Sequence, residues 1–152
     1  SILSEDVIKN GSVAYIGMYE EGLSPFVKLD SAATVKDFMS KFRGGRGGDT
    51  DIAGALRTVA GMLKRGKLDH FEVKTDLEIF LVCDGQEPVP SSFTPPAKSH
   101  CLSLYNKNLN LDLAVKRSGG TAFHVDYTGL SVSDYKSNIT EYEMEDSEDY
   151  ED

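Results

Sequence analysis

Residues 77–83 (LEIFLVC) form a short, nearly unbroken apolar run that stops at Asp84-Gly85, and this run limits the fold more than any other feature. A run rich in β-branched and aromatic residues suits a strand covered on both faces, as in a parallel sheet between helices. Comparable runs recur at residues 12–20 (SVAYIGMYE), 101–105 and 121–125 (TAFHV), with a short strand or hairpin return at 26–29. Helical patterns separate them. Residues 33–42 place Val35, Phe38, Met39 and Phe42 on one face, and residues 51–65 turn Ile52, Leu56, Val59, Met62 and Leu63 inward. Residues 109–117 form a third helix closed by Gly119-Gly120, residues 1–9 read as the end of a helix, and 130–139 as a last one. This order predicts an α/β fold, a doubly wound and mainly parallel sheet with helices on both faces.

A chain of 152 residues is one domain long. Its net charge of −9 is concentrated at one end: residues 141–152 hold eight carboxylates and no Lys or Arg, leaving residues 1–140 close to neutral. The expected division is a domain over 1–140 and an acidic, disordered tail over 141–152. A nearly neutral domain lacks the basic face that neutralises phosphates, which argues against nucleic-acid binding. Cys83 and Cys101 lie inside apolar runs and read as free, buried thiols, so a cytoplasmic, reducing setting is expected. No run approaches the ~18 apolar residues of a membrane span.

In open parallel sheets ligands bind beyond the carboxyl ends of the strands. Two oxygen-rich features converge there: the glycine loop 44–51 (GGRGGDTD) entering a helix, and Asp84 at the end of its strand. Such donors suit a hard cation, Mg2+ or Mn2+. The glycine loop is no phosphate cradle of the P-loop kind, because Asp49 stands where a lysine is wanted. His70, His100 and His124 fall in separate elements, and no nucleophile elbow occurs, so the chain does not read as an enzyme. Residues 86–98 hold four of the five prolines and read as an irregular loop.

The run GGDTDIAGAL (47–56), the strand ending in Cys83-Asp84-Gly85, and the segment SLYNKNLNLDLAVKRSGGTAFHV (103–125) together resemble a von Willebrand factor A-type (vWA) domain. The resemblance implies a protein-binding module with a metal-ion-dependent adhesion site. By motif, Thr50 is the direct hydroxyl ligand and Asp84 holds the ion. Asp49, Asp51, Gln86 and Glu87 are rim contacts, and the partner protein supplies a carboxylate to the open position. Residues 41–57 have a weaker similarity to members that work with MoxR-type AAA+ ATPases, which suggests such an ATPase as a partner.

The family's D-x-S-x-S motif is missing. Asp30 is followed by Ser-Ala-Ala-Thr, Asp126 by Tyr-Thr-Gly-Leu and Asp134 by Tyr-Lys-Ser-Asn. The resemblance begins within the family's first helix, so the first strand and its motif would precede Ser1. Three explanations stay open: a fragment whose N-terminal piece is separate, a sheet completed by a strand from another chain, or a divergent sheet without a complete metal site. The second makes the chain a structural or assembly subunit, the alternative to metal-dependent binding.

Overall fold

The computed structural model describes residues 13–19, 22–41, 51–73, 76–126 and 140–141. Two short hairpins precede a four-stranded sheet. β1 (Ala14–Ile16) pairs antiparallel with β2 (Val27–Leu29), which leads into α1 (Ala32–Lys41). α2 (Ile52–Lys64) follows, then the second hairpin, β3 (Lys67–Leu68) with β4 (Phe71–Glu72). β5 (Ile79–Cys83), β6 (Ser99–Leu104) and β7 (Ala122–Val125) run parallel, with α3 (Leu109–Arg117) between the last two. β8 (Thr140–Glu141) closes the sheet antiparallel, in the order β5-β6-β7-β8. The α/β class and the mainly parallel sheet are as expected, but the expected helices on both faces are not found among the described residues: α2 and α3 pack on the same face of this sheet.

The parallel register decides which side chains share a face. Leu81, Cys101 and Ala122 lie in one row and Cys83, Ser103 and His124 in the next. α2 lays Ile52, Ala53 and Leu56 on this face, and α3 adds Leu111, Ala114 and Val115, forming one buried cluster with Val89 and Phe93 of the proline loop. Phe80, Val82, His100, Leu102 and Phe123 point the other way. There the ring of Phe80 stacks on His100 and on Phe123, each 6.1 Å away.

Local chemistry sets the helix ends. Ser31 and Thr34 cap the start of α1 reciprocally, the Ser31 hydroxyl accepting from Thr34 N at 3.2 Å and the Thr34 hydroxyl from Ser31 N at 3.0 Å. Asp51 Oδ1 accepts from Gly54 N at 2.9 Å to start α2, and Gly66, at φ +73°, ends its last turn.

Some expectations need correcting. Over its described part, the apolar run 12–20 supplies only the three residues of β1, in a two-stranded ladder separate from the main sheet. Beyond Ile16 the backbone leaves the ladder, because Met18 N bonds to the Ser24 hydroxyl (2.8 Å) and Ser24 N to Met18 O (2.7 Å). Met39, expected inward, is 56% exposed, since α1 buries only a narrow stripe, Val35 with Phe38 alongside, against Leu29. The hairpin β3–β4 was not expected; it turns on Asp69 at φ +53°, whose carboxylate also accepts from Phe26 N at 2.6 Å and ties the two hairpins together. Glu141, placed in the tail by composition, pairs with Phe123 in β8 and lies 3.7 Å from the Lys116 ammonium. The helices expected at 1–9 and 130–139 lie outside the described residues, as does the glycine loop 44–50.

Candidate functional site

The crossover from β5 to β6 contains no helix, and the backbone must turn sharply where β5 ends. Asp84 makes that turn: its Oδ1 accepts from Gln86 N at 3.0 Å, and its carbonyl accepts from Asn106 N at 3.2 Å. Gly85 between them sits at φ +82°, where a Cβ would lie 1.8 Å from the Asn106 carbonyl oxygen. Only glycine fits so close an approach in that backbone region.

Glu87 joins this loop to α2. Its Oε2 accepts from Ile52 N at 3.1 Å, beside the Asp51 cap, so two carboxylates serve the unpaired donors and positive end of one helix. From the other side, α3 grips the loop by its carbonyls. Asn108 Nδ2 donates to Glu87 O (2.6 Å) and Asn110 Nδ2 to Val89 O (2.7 Å); Arg117 Nη2 donates to Ser91 O (3.2 Å) and Phe93 O (3.4 Å). A groove of about 300 Å3 opens between the loop and α2, lined by Leu56, Arg57, Phe93 and Pro96 among others.

The structure therefore brings together four of the expected site residues, Asp84 of the metal pair and the rim contacts Asp51, Gln86 and Glu87. Asp84, Gln86 and Glu87 follow β5, and Asp51 stands at the start of α2, linked to the loop through Glu87. Thr50 and Asp49 lie outside the described residues. All the carboxylate and carbonyl donors are oxygens, the chemistry a hard cation prefers. Among the described residues, however, no three His, Cys, Asp or Glu side chains gather closely enough to hold a metal ion. Asp51, Asp84 and Glu87 are each engaged with backbone N–H groups, so the described residues alone do not make a complete metal site.

Asn108 was missed by motif reading and does two jobs. Its Oδ1 accepts from Leu111 N at 3.2 Å, capping α3, while its amide holds Glu87 O. Its place directly before the apolar stripe of α3 was the available signal. Asn108→Ala should lose both bonds and about 2 kcal/mol of stability, measured by chemical denaturation. Asn108→Asp, which keeps the cap, should recover part of the loss.

A second feature lies behind the rim. Asp112, on the sheet-facing side of α3, is fully buried; its Oδ1 accepts from the Cys101 thiol at 3.2 Å, while Oδ2 is buried with no hydrogen-bond partner. Burial pushes the Asp112 carboxyl up to about 6, with the Cys101 contact and the charges of His124 and Lys107 opposing. Burial, with Asp112 beside it, also raises the Cys101 thiol, and both cysteines are free. Cys101 is thus a neutral hydrogen-bond donor to a buried acid as well as a core residue.

His100 accepts at Nδ1 from Thr121 N (3.0 Å), which leaves Nε2 to donate to Glu78 Oε1 (3.3 Å). Lys98 and then His100 hold the Glu78 carboxyl below the usual range. The chain matches no family model, no curated protein and no solved structure. No helix among the described residues is long and apolar enough to cross a membrane.

Proposed function

We propose that this chain is a protein-binding α/β module, not an enzyme, whose binding face is the rim beyond the carboxyl end of β5. The observation that carries the reading is the joining of Asp84, Glu87 and the N-terminus of α2 into one braced, carboxylate-rich surface. Such a surface repels an acidic partner unless a cation lies between them. In this reading Thr50 and Asp84 hold Mg2+ or Mn2+, Asp49, Asp51, Gln86 and Glu87 form the rim, and a partner carboxylate completes the coordination. The vWA-like motif run supports this assignment, and the free, buried cysteines support a reducing, cytoplasmic setting.

Thermal melting with and without about 10 mM Mg2+ or Mn2+ tests it. With a Kd of about 0.1 mM, the ion should stabilise the native state by roughly 2.7 kcal/mol, a Tm rise of several degrees. Thr50→Ala and Asp84→Ala should each abolish the rise. A melt indifferent to both ions would rule out the metal site.

The outer edge of β5, unpaired with any strand among the described residues, favours a second reading, an assembly subunit whose sheet is completed by a strand from another chain. β5 lies at one end of the four-stranded order, yet its sequence is as apolar as an interior strand.

A further inference from the structure

The hydrogen-bond phase of β5 shows what its outer edge offers. Ile79 N donates to Lys98 O, so in the parallel ladder residues 79, 81 and 83 bond to β6, while the backbone groups of Phe80 and Val82 point away from it. On that outer side Val82 O accepts from the Tyr19 hydroxyl at 3.2 Å. Phe80 N–H, Phe80 C=O and Val82 N–H have no partner among the described residues. The side chains flanking this row are apolar and open, Phe80 at 45% and Val82 at 51% exposure. Natural sheet edges are usually guarded by a lysine, a proline or a bulge, and residues 79–83 contain none of these.

Charge decides what could fill the edge. A second copy pairing antiparallel about Leu81 would set Glu78 opposite Asp84 at both ends. Pairing about Phe80 would set Asp76 opposite Asp84. Both registers put like charges face to face, which destabilises a strand pair, and pairing about Val82 would set the Asp84 carboxylates against the Phe80 rings. Lys98 pairs with Glu78, and His100 hydrogen-bonds to it, but Asp84 has no cationic partner among the described residues. The end of the strand nearer the rim is therefore the acidic one.

We propose that the outer edge of β5 accepts an extended segment of a different polypeptide. That segment bonds to Phe80 N–H, Phe80 C=O and Val82 N–H, displaces the Tyr19 hydroxyl from beside Val82 O, carries β-branched or aromatic residues beside them, and places Lys or Arg opposite Asp84. The inference rests on the second reading above, that another chain completes the sheet. It adds the chemistry of the incoming strand.

The test uses the whole chain and three fluorescein-labelled peptides of alternating Val and Thr: one with terminal lysines, one with terminal glutamates, and a lysine-ended one N-methylated at alternate amides. Fluorescence anisotropy at low salt should show the lysine-ended peptide binding about fivefold tighter than the glutamate-ended one. N-methylation in the register that blocks the bonding edge should weaken binding about tenfold. Val82→Pro removes an outward N–H and no bond to β6, so it should weaken binding by a similar factor of about ten with little change in melting temperature. If the variant fails to fold, the N-methylated peptide still tests the backbone pairing on the unaltered protein. Equal binding of both charged peptides, still sensitive to N-methylation, would overturn the charge selection and leave strand completion standing. Binding that ignores N-methylation, or no binding by any peptide, would overturn strand completion itself. A dimer in light scattering that dissociates on Val82→Pro would overturn the proposal in favour of a second copy.

Discussion

Gly85→Ala is expected to destabilise the fold by about 3–5 kcal/mol, through a strained positive φ and a Cβ driven into backbone. The Cβ would meet the Asn106 carbonyl oxygen at 1.8 Å, and backbone cannot swing aside as the end of a side chain can. Relief requires separating the turn at Asp84 from Asn106, which breaks the bond from Asn106 N to Asp84 O. The damage thus falls on Asp84, a residue of the proposed site. Calorimetry should show a Tm lower by roughly 10 °C or more. Gly61→Ala is the matched control. Gly61 lies within α2, with only the tip of Arg65 within 4 Å of an added Cβ, so this change should stabilise by about 0.5–1 kcal/mol. If both variants melted like the parent, the close contact at Gly85 would be disproved.

The second large effect concerns Asp112 and pH. Its carboxyl is raised to about 6, mainly by burial, so the native state keeps a proton that the unfolded chain has already released. The stabilising contribution is complete below the unfolded value of about 4 and is lost as pH rises through 6. From this group alone stability should fall by roughly 2–3 kcal/mol between pH 4 and pH 7. Asp112→Asn removes that slope. At pH 7 the variant should be about 1–2 kcal/mol more stable than the parent, because a neutral amide replaces a buried charge. At pH 4 the order should reverse or vanish, since the parent carboxyl is then neutral and the amide adds an unpaired donor. Denaturant titrations at the two pH values read this directly, and parallel curves for the two proteins would show that Asp112 does not titrate across this range.

The sequence was most informative where one local cause was enough. The range 109–117 for α3 agrees with the observed helix, because Asn108 caps one end and Gly119, at φ +94°, follows the other. β5, β6 and β7 were visible as apolar runs whose partners are also apolar. The hairpin β3–β4 was hidden because each strand is two residues long, too short for alternation, and its turn uses Asp69 in place of glycine. β8 was hidden by the acidic composition of the segment that it opens. Asp112 follows Leu111 and precedes Val115 by three residues, which puts it on the shoulder of the apolar stripe. Whether such a residue turns in or out depends on how closely α3 approaches the sheet, and spacing does not encode that. At the rim, Asp84 was legible as the end of a strand. The reach of Glu87 to Ile52 spans 35 residues and was not.

The manner in which α3 holds the proline loop has an evolutionary corollary. Asn108, Asn110 and Arg117 grip carbonyl oxygens of Glu87, Val89, Ser91 and Phe93, groups that every amino acid carries. Val89 and Phe93 are committed to the core, but Gln86, Ser91 and Ser92 can be exchanged without releasing the path of the chain. Descendants of this chain could vary the side chains that this loop presents, while the helix preserves the scaffold on which the new surface is written.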